Sequence, residues 1–233
     1  MKIYIDFDST IVDSVKAFVS RYNQLYNKKE DPNSVVKYNF ENLNLSKEDI
    51  VLGFNSNFFF SELDLYPEAQ DALYKLKHSG AELVLLTRGT PTNIVKKIEW
   101  LDKHHWIREL FDDFVFTTSN QDKIKIDMSN AILIDDYRLN HLNSNAKYRY
   151  AFKDIPQRTW FPIPDDGVKI MNSWALIADD ICKLLCKSTS TSVKKNTQKS
   201  NNTNNNSKTK KKNTRSNSLN NKKNNIKQKV VIK

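Results

Sequence analysis

Four short, nearly continuous apolar runs punctuate the chain: Lys2–Asp6 (KIYID), Glu82–Thr87 (ELVLLT), Asp113–Thr118 (DFVFTT) and Ala131–Asp135 (AILID). Runs of this kind fit strands covered on both faces, as in a parallel sheet. A weaker fifth run is Tyr148–Phe152. Between them, apolar residues recur at helical spacing over Pro67–His78, Pro91–His104 and Ala175–Lys187. Strands alternating with helices of this length predict an α/β fold, a Rossmann-like parallel sheet with right-handed crossovers.

The interval between the first two strands is too long for one crossover. It holds an amphipathic pattern at Val15–Tyr26, a polar stretch around Pro32 and an aromatic segment at Phe54–Phe60. It reads as a small helical cap, about residues 14–66, inserted after the first strand beside the carboxyl edge of the sheet. The ordered domain is expected to cover residues 1–187. From Ser188 to Lys233 the chain is Ser, Thr, Asn and Lys with few apolar residues. Such a segment cannot offset its ordering entropy by burial and is expected to be a disordered tail.

The charge divides along the same line. The chain has 37 Lys and Arg against 27 Asp and Glu, but 13 of the basic residues and no acidic ones lie in the tail, leaving the first 187 residues at −3. The body is therefore mildly acidic, which removes a basic-protein reading of the fold. The tail is either an electrostatic arm for a polyanion such as nucleic acid or a solvated low-complexity segment. It lacks the interleaved aromatics that would stack on bases.

Cys182 and Cys186, four apart in a helical pattern, lack neighbouring ligands and read as core packing. No apolar run is long enough to span a bilayer. The N-terminus reaches Lys2 and Asp6 too soon for a signal peptide. These features lead to the expectation of a soluble, intracellular protein, cytoplasmic and without membrane contact. Four glycines leave no GxxxxGK loop and no GxSxG elbow.

The chemistry gathers at strand ends. The first strand runs into Asp6-Phe7-Asp8, and alternate residues share a face, so both carboxylates can address one site. The second strand ends in Thr87-Arg88 and the fourth in Asp135-Asp136. In open α/β sheets ligands bind beyond the carboxyl ends of the strands. Four carboxylates converging there repel one another unless protonated or offset by a cation. Hard oxygen ligands suit Mg²⁺, and a magnesium ion beside a nucleophilic carboxylate suits phosphoryl transfer.

These motifs resemble those of the haloacid dehalogenase (HAD) superfamily of phosphotransferases. They are Ile5–Thr10 (IDFDST), Leu85–Gly89 (LLTRG), a lysine at Lys123 or Lys125, and Leu133–Tyr137 (LIDDY). Within the superfamily, the 5'(3')-deoxyribonucleotidases are similar at Asn57–Phe60 (NFFF), Leu65-Tyr66-Pro67, Glu99–His104 (EWLDKH), Asp122-Lys123 and Trp174. The likeness covers the body and not the tail.

The resemblance implies that Asp6 is the nucleophile that becomes an aspartyl-phosphate. Asp8 would protonate the leaving oxygen and then activate water. Asp6, the Asp8 carbonyl and Asp135 would hold Mg²⁺, with Asp136 and Thr10 supporting that site from behind. Thr87, Arg88 and Lys123 or Lys125 would bind the phosphate, and Phe59 would stack on the nucleobase. Lys125 keeps the family's usual distance to Asp135, whereas Lys123 keeps the Asp-Lys context. The chain departs from the family at Ser9, where Gly is usual, and at Ser14, where an aromatic is usual. It departs again at Arg88-Gly89 for Ser-Pro and at Tyr137 for Arg. The implied substrate is a nucleoside monophosphate. Sugar phosphates and nucleic-acid 3'-phosphates are rivals, as is a non-catalytic nucleic-acid-binding role through the tail. Dimeric relatives make a homodimer compatible with the likeness.

Overall fold

The computed structural model describes residues 1–118, 123 and 125–199, with side chains through Lys187 except that of Asp165. The chain divides into two units, Met1–Ser192 and Val193–Lys233, and the fold below is that of the first.

Six strands form one parallel sheet: β1 (Lys2–Ile5), β2 (Glu82–Arg88), β3 (Asp113–Thr117), β4 (Ile132–Ile134), β5 (Tyr148–Phe152) and β6 (Lys169–Met171). Their spatial order is β3-β2-β1-β4-β5-β6. The registers Ile5↔Leu85 and Ile5↔Ile134 bring β1 and β4 to a level end, while β2 runs on past them to Arg88 at the same edge. The unbroken apolar runs follow from burial on both faces. Ile3, Ile5, Leu83, Leu85, Ile132 and Ile134 enter the larger core. The alternate residues Tyr4, Val84, Leu86 and Leu133 enter a second core with Met128 and Ala146.

The described residues form eight α-helices in the order α1 (Ser14–Tyr26), α2 (Lys47–Phe54), α3 (Asn57–Ser61), α4 (Ala69–His78), α5 (Pro91–Lys103), α6 (His105–Arg108), α7 (Arg138–Asn143) and α8 (Trp174–Lys199). All but α6 and α7 sit where the sequence places helical or cap segments. Local chemistry fixes their starts. Asp13 caps α1, a Ser46/Asp49 capping box opens α2, and Thr90 with Pro91 opens α5.

The segment between β1 and β2 leaves and re-enters the sheet layer side by side. Val12 and Leu65 form an antiparallel bridge, flanked by Asp13 N–H to the Asp64 carbonyl and Tyr66 N–H to the Ile11 carbonyl, both 2.9 Å. Trp174, fully buried at the start of α8, donates from Nε1 to the Thr10 carbonyl at 2.9 Å.

Three features differ from the sequence reading. β6 is a sixth strand, three residues long, pairing with Tyr150–Phe152. α7 is a helix of six residues in the stretch after β4. The backbone of α8 is helical to Lys199, past Lys187. The stretch Ser188–Lys199 holds no Gly or Pro, so a helix seated at Trp174 meets no stop signal there. The rest of the expected tail, from residue 200, lies outside the described residues.

Candidate active site

Beyond Ile5 the first strand keeps one more rung, Asp6 N–H to the Ile134 carbonyl at 2.9 Å, and then turns sharply. The amides of Thr10, Ile11 and Val12 all point to the Phe7 carbonyl. The turn requires φ +53° at Ser9, a left-handed conformation where the family usually has Gly. A side chain there costs about 1–2 kcal/mol. Ser14 offsets part of it, since its Oγ accepts from the Ser9 amide at 3.3 Å and donates to Asp8 Oδ1 at 3.0 Å.

Asp6, Asp135 and Asp136 are buried and each offers an oxygen within 4.8 Å of the others. Lys123, itself buried, donates to Asp6 Oδ1 at 2.7 Å and to Asp135 Oδ2 at 3.1 Å. α7 and its leading turn organise Asp135. Asn140 Nδ2 donates to both of its oxygens at 2.9 Å, and the Tyr137 amide donates to Oδ1 at 2.9 Å. His141 donates from Nε2 to the Asp135 carbonyl at 2.8 Å, and burial lowers its pKa, favouring the neutral ring. Trp160, between β5 and β6, donates to Asp136 Oδ2 at 2.8 Å.

The balance of charge is unfinished. Burial pushes the Asp6 carboxyl up to about 6, with the Lys123 ammonium opposing and the Asp135 and Asp8 carboxylates reinforcing. Burial, then Asp135 and Asp6, push Asp136 well above the carboxylate range. Burial opposes the charge on Lys123, but Asp135 and Asp6 outweigh it and raise its pKa. Three buried carboxylates therefore face one ammonium, and the surplus is what a hard divalent cation would relieve. The donor set fits Mg²⁺.

Asp8 is drawn elsewhere. It ion-pairs with Lys97, a lysine of α5 with no exposed surface. The Lys97 Nζ also donates to Thr87 Oγ1 and to the Arg88 carbonyl, each at 2.8 Å. Lys97 was missed in the sequence. Its signal was its place on the α5 stripe Asn93, Lys97, Trp100, Leu101, where every other member is buried.

A cavity of about 420 Å³ opens beside these groups. Asp6, Asp8, Lys123 and Asp136 line it. Phe40, Ile50 and Phe54 from the insertion line it as well, together with Tyr38, Arg88, Tyr137 and Trp160. Tyr38 packs on Tyr137 at 4.9 Å and edge-on to Trp160 at 6.1 Å.

The placement of the expected residues is uneven. Asp6, Asp135, Asp136 and Lys123 come together, and Asp8 and Arg88 line the same cavity. Lys125 is exposed and lies off the cavity wall, so Lys123 is the lysine at the carboxylates. Thr87 is fully buried with its hydroxyl taken by Lys97, and it does not face the cavity. Thr10 reaches the structure through its carbonyl; its buried Oγ1 has no partner among the described residues and does not support the carboxylates. Phe59 is not at the cavity either. α3 spans little more than one turn, so its buried face takes Phe59 and Phe60 into the core, and Phe54, packed against Phe59 at 5.0 Å, presents the ring.

The parallel sheet and the carboxylates at its strand ends define a phosphatase of the HAD superfamily. Solved structures with this fold include a predicted phosphatase from Clostridium acetobutylicum (18% identity, TM-score 0.57, 78% of this chain and 98% of that one). Another is the HAD-hydrolase YfnB from Bacillus subtilis, bound to magnesium (10%, 0.52, 76% and 96%). A third is a predicted phosphoglycolate phosphatase from Haemophilus somnus (15%, 0.52, 77% and 96%). More particularly, residues 1–162 match the profile of the family described as 5' nucleotidase, deoxy (pyrimidine), cytosolic type C, and the chain belongs to that family. No curated protein sequence matches it. Among the described residues, no helix is long and apolar enough to cross a membrane.

Proposed function

We propose that the protein removes phosphate from nucleoside monophosphates, with Mg²⁺ and through a phosphorylated Asp6. The observation that carries this reading is the cavity itself. Its lining joins Asp6, Asp8, Lys123 and Asp136 with the rings of Tyr38, Phe40, Phe54, Tyr137 and Trp160, which suits a small ester with a phosphate at one end and a planar ring at the other.

Asp6 attacks phosphorus and displaces the nucleoside oxygen, which takes its proton from Asp8. Asp8 then removes a proton from water as the water attacks the acyl-phosphate, freeing phosphate and restoring Asp6. Lys123 holds Asp6 in place and offsets charge on the phosphoryl oxygens. Mg²⁺, held by Asp6 and Asp135 with Asp136 beside them, would neutralise the transferring group. The helical insertion over residues 14–66 acts as a cap, with Phe54 and Tyr38 meeting the base and excluding water. Arg88, whose guanidinium donates to the Tyr38 hydroxyl, sits where the departing nucleoside or a second anionic group would lie.

The test is phosphate release from deoxy- and ribonucleoside 5'- and 3'-monophosphates, sugar phosphates and a 3'-phosphorylated oligonucleotide, with Mg²⁺ or EDTA. Turnover centred on the monophosphates and lost in EDTA is expected. Turnover of sugar phosphates alone would discard the nucleotide, and turnover of the oligonucleotide alone would give the basic tail a substrate-binding role.

A further inference from the structure

A lysine with no exposed surface needs a reason to be charged there. Burying an ammonium costs several kcal/mol unless its protons are all used. Lys97 uses all three: one on Asp8 Oδ2, one on Thr87 Oγ1 and one on the Arg88 carbonyl. The last two acceptors belong to the end of β2, where Thr87 is fully buried and Arg88 half-buried, and they anchor the ammonium. Phe7 adds its ring, 5.4 Å from Nζ. The third proton points at a carboxylate that faces the cavity, since the Asp8 side chain keeps 31% of its surface exposed there.

The helix that carries Lys97 is pinned as well. Its N-cap Thr90 donates to Asn55 Oδ1 at 3.0 Å, and Asn93 Nδ2 donates to the Phe54 carbonyl at 2.9 Å, both in the insertion. A Cβ added at Gly89, before that cap, would press on the Asn93 side chain and force it to shift from the Phe54 carbonyl.

We propose that Lys97 is a positioning residue for leaving-group protonation, fixing the Asp8 carboxyl through Oδ2 while Ser14 fixes it through Oδ1. It does not touch substrate. Lys123 serves the nucleophile and the cation ligands, whereas Lys97 serves the proton-transfer group, so the two buried lysines divide the site. The inference rests on Asp8 acting as acid in the proposed reaction, but not on the substrate being a nucleotide.

The experiment compares two leaving groups. An alkyl phosphate, nucleoside monophosphate or otherwise, needs its departing alkoxide protonated; p-nitrophenyl phosphate departs as a stable phenolate and needs little help. Lys97→Met keeps the side-chain volume and removes the charge. The readout is kcat/KM, which ends at departure of the leaving group and so excludes the later water attack that Asp8 also assists. The expected result is a fall in kcat/KM of about 100-fold on the alkyl ester, the lower end of the worth of general acid catalysis. On p-nitrophenyl phosphate kcat/KM falls under about 5-fold. Equal losses of kcat/KM on both esters would show a merely structural lysine and overturn the proposal, as would no loss on either. Should Lys97→Met fail to fold, Lys97→Gln, which keeps a neutral donor, is read by the same ratio. If the wild-type enzyme ignores nucleotides, the nucleotide reading falls, and the ratio is measured on whichever alkyl phosphate it does hydrolyse.

Discussion

Arg88 at the end of β2 donates from Nη2 to the hydroxyl of Tyr38, 3.0 Å away and fifty residues earlier in the chain. The bond ties a catalytic strand to the inserted segment across the cavity mouth. Neither residue has a carboxylate partner among the described residues, so the contact rests on one neutral acceptor and ring packing around it.

Tyr38→Phe removes that acceptor and keeps the ring. A hydrogen bond of this kind is worth about 0.5–1.5 kcal/mol net. The expected outcome is a KM raised about 2- to 10-fold with kcat nearly intact, measured by steady-state phosphate release. A kcat loss without a KM change would show instead that the pair serves the chemistry.

Phe54 and Phe59 separate binding from packing. Phe59→Ala empties a fully buried site and should cost about 3–5 kcal/mol of stability, read as a lowered midpoint in urea. The folded remainder should keep its KM. Phe54→Ala, at the cavity wall, should raise KM for a nucleotide more than for a small sugar phosphate.

Asp6→Asn should remove turnover altogether, since an amide cannot form the acyl-phosphate. It should also stabilise the cation-free protein, because it takes one charge from a crowded buried cluster. Thermal melts in EDTA check the second point independently of the first.

The same crowding predicts a pH effect on the cation-free fold. Asp6 has an ordinary pKa near 3.8 when unfolded and one raised to about 6 when folded. Between these values the folded state binds more protons, so stability falls as pH rises from about 4 to about 6. Excess Mg²⁺ should flatten that slope by displacing the protons. Melts with EDTA or Mg²⁺ at a series of pH values give the answer, and the same slope in both would mean that no cation binds at these carboxylates.

Much of the frame was legible because burial on both faces writes itself as unbroken apolar runs, as in Glu82–Thr87. β6 left no such mark, since Lys169–Met171 is only three residues with one exposed end. Asp6, Asp135 and Asp136 could be foreseen as a group because strand ends in a parallel sheet share one edge. The choice between Lys123 and Lys125 could not, because spacing and context disagreed and only the fold places one ammonium among the carboxylates. Phe59 was misplaced for a related reason. A run of three aromatics in a single helical turn does not reveal which ring faces inward, and the ring at the cavity is that of Phe54, three residues before α3 begins. Lys97 shows the opposite failure: lysines on helices are mostly solvated, and the apolar stripe around this one was the only warning.

The paired linkers at Val12 and Leu65 carry a consequence for how such a site can diversify. The excursion between them begins and ends at neighbouring points, so it behaves as a cassette plugged into a fixed socket. Residues beyond Ser14 and before Asp64 can be added, lost or exchanged while the rung that holds Asp6 stays in register. Much of the recognition surface can thus mutate apart from the carboxylates, and a new clientele can be acquired without rebuilding the engine.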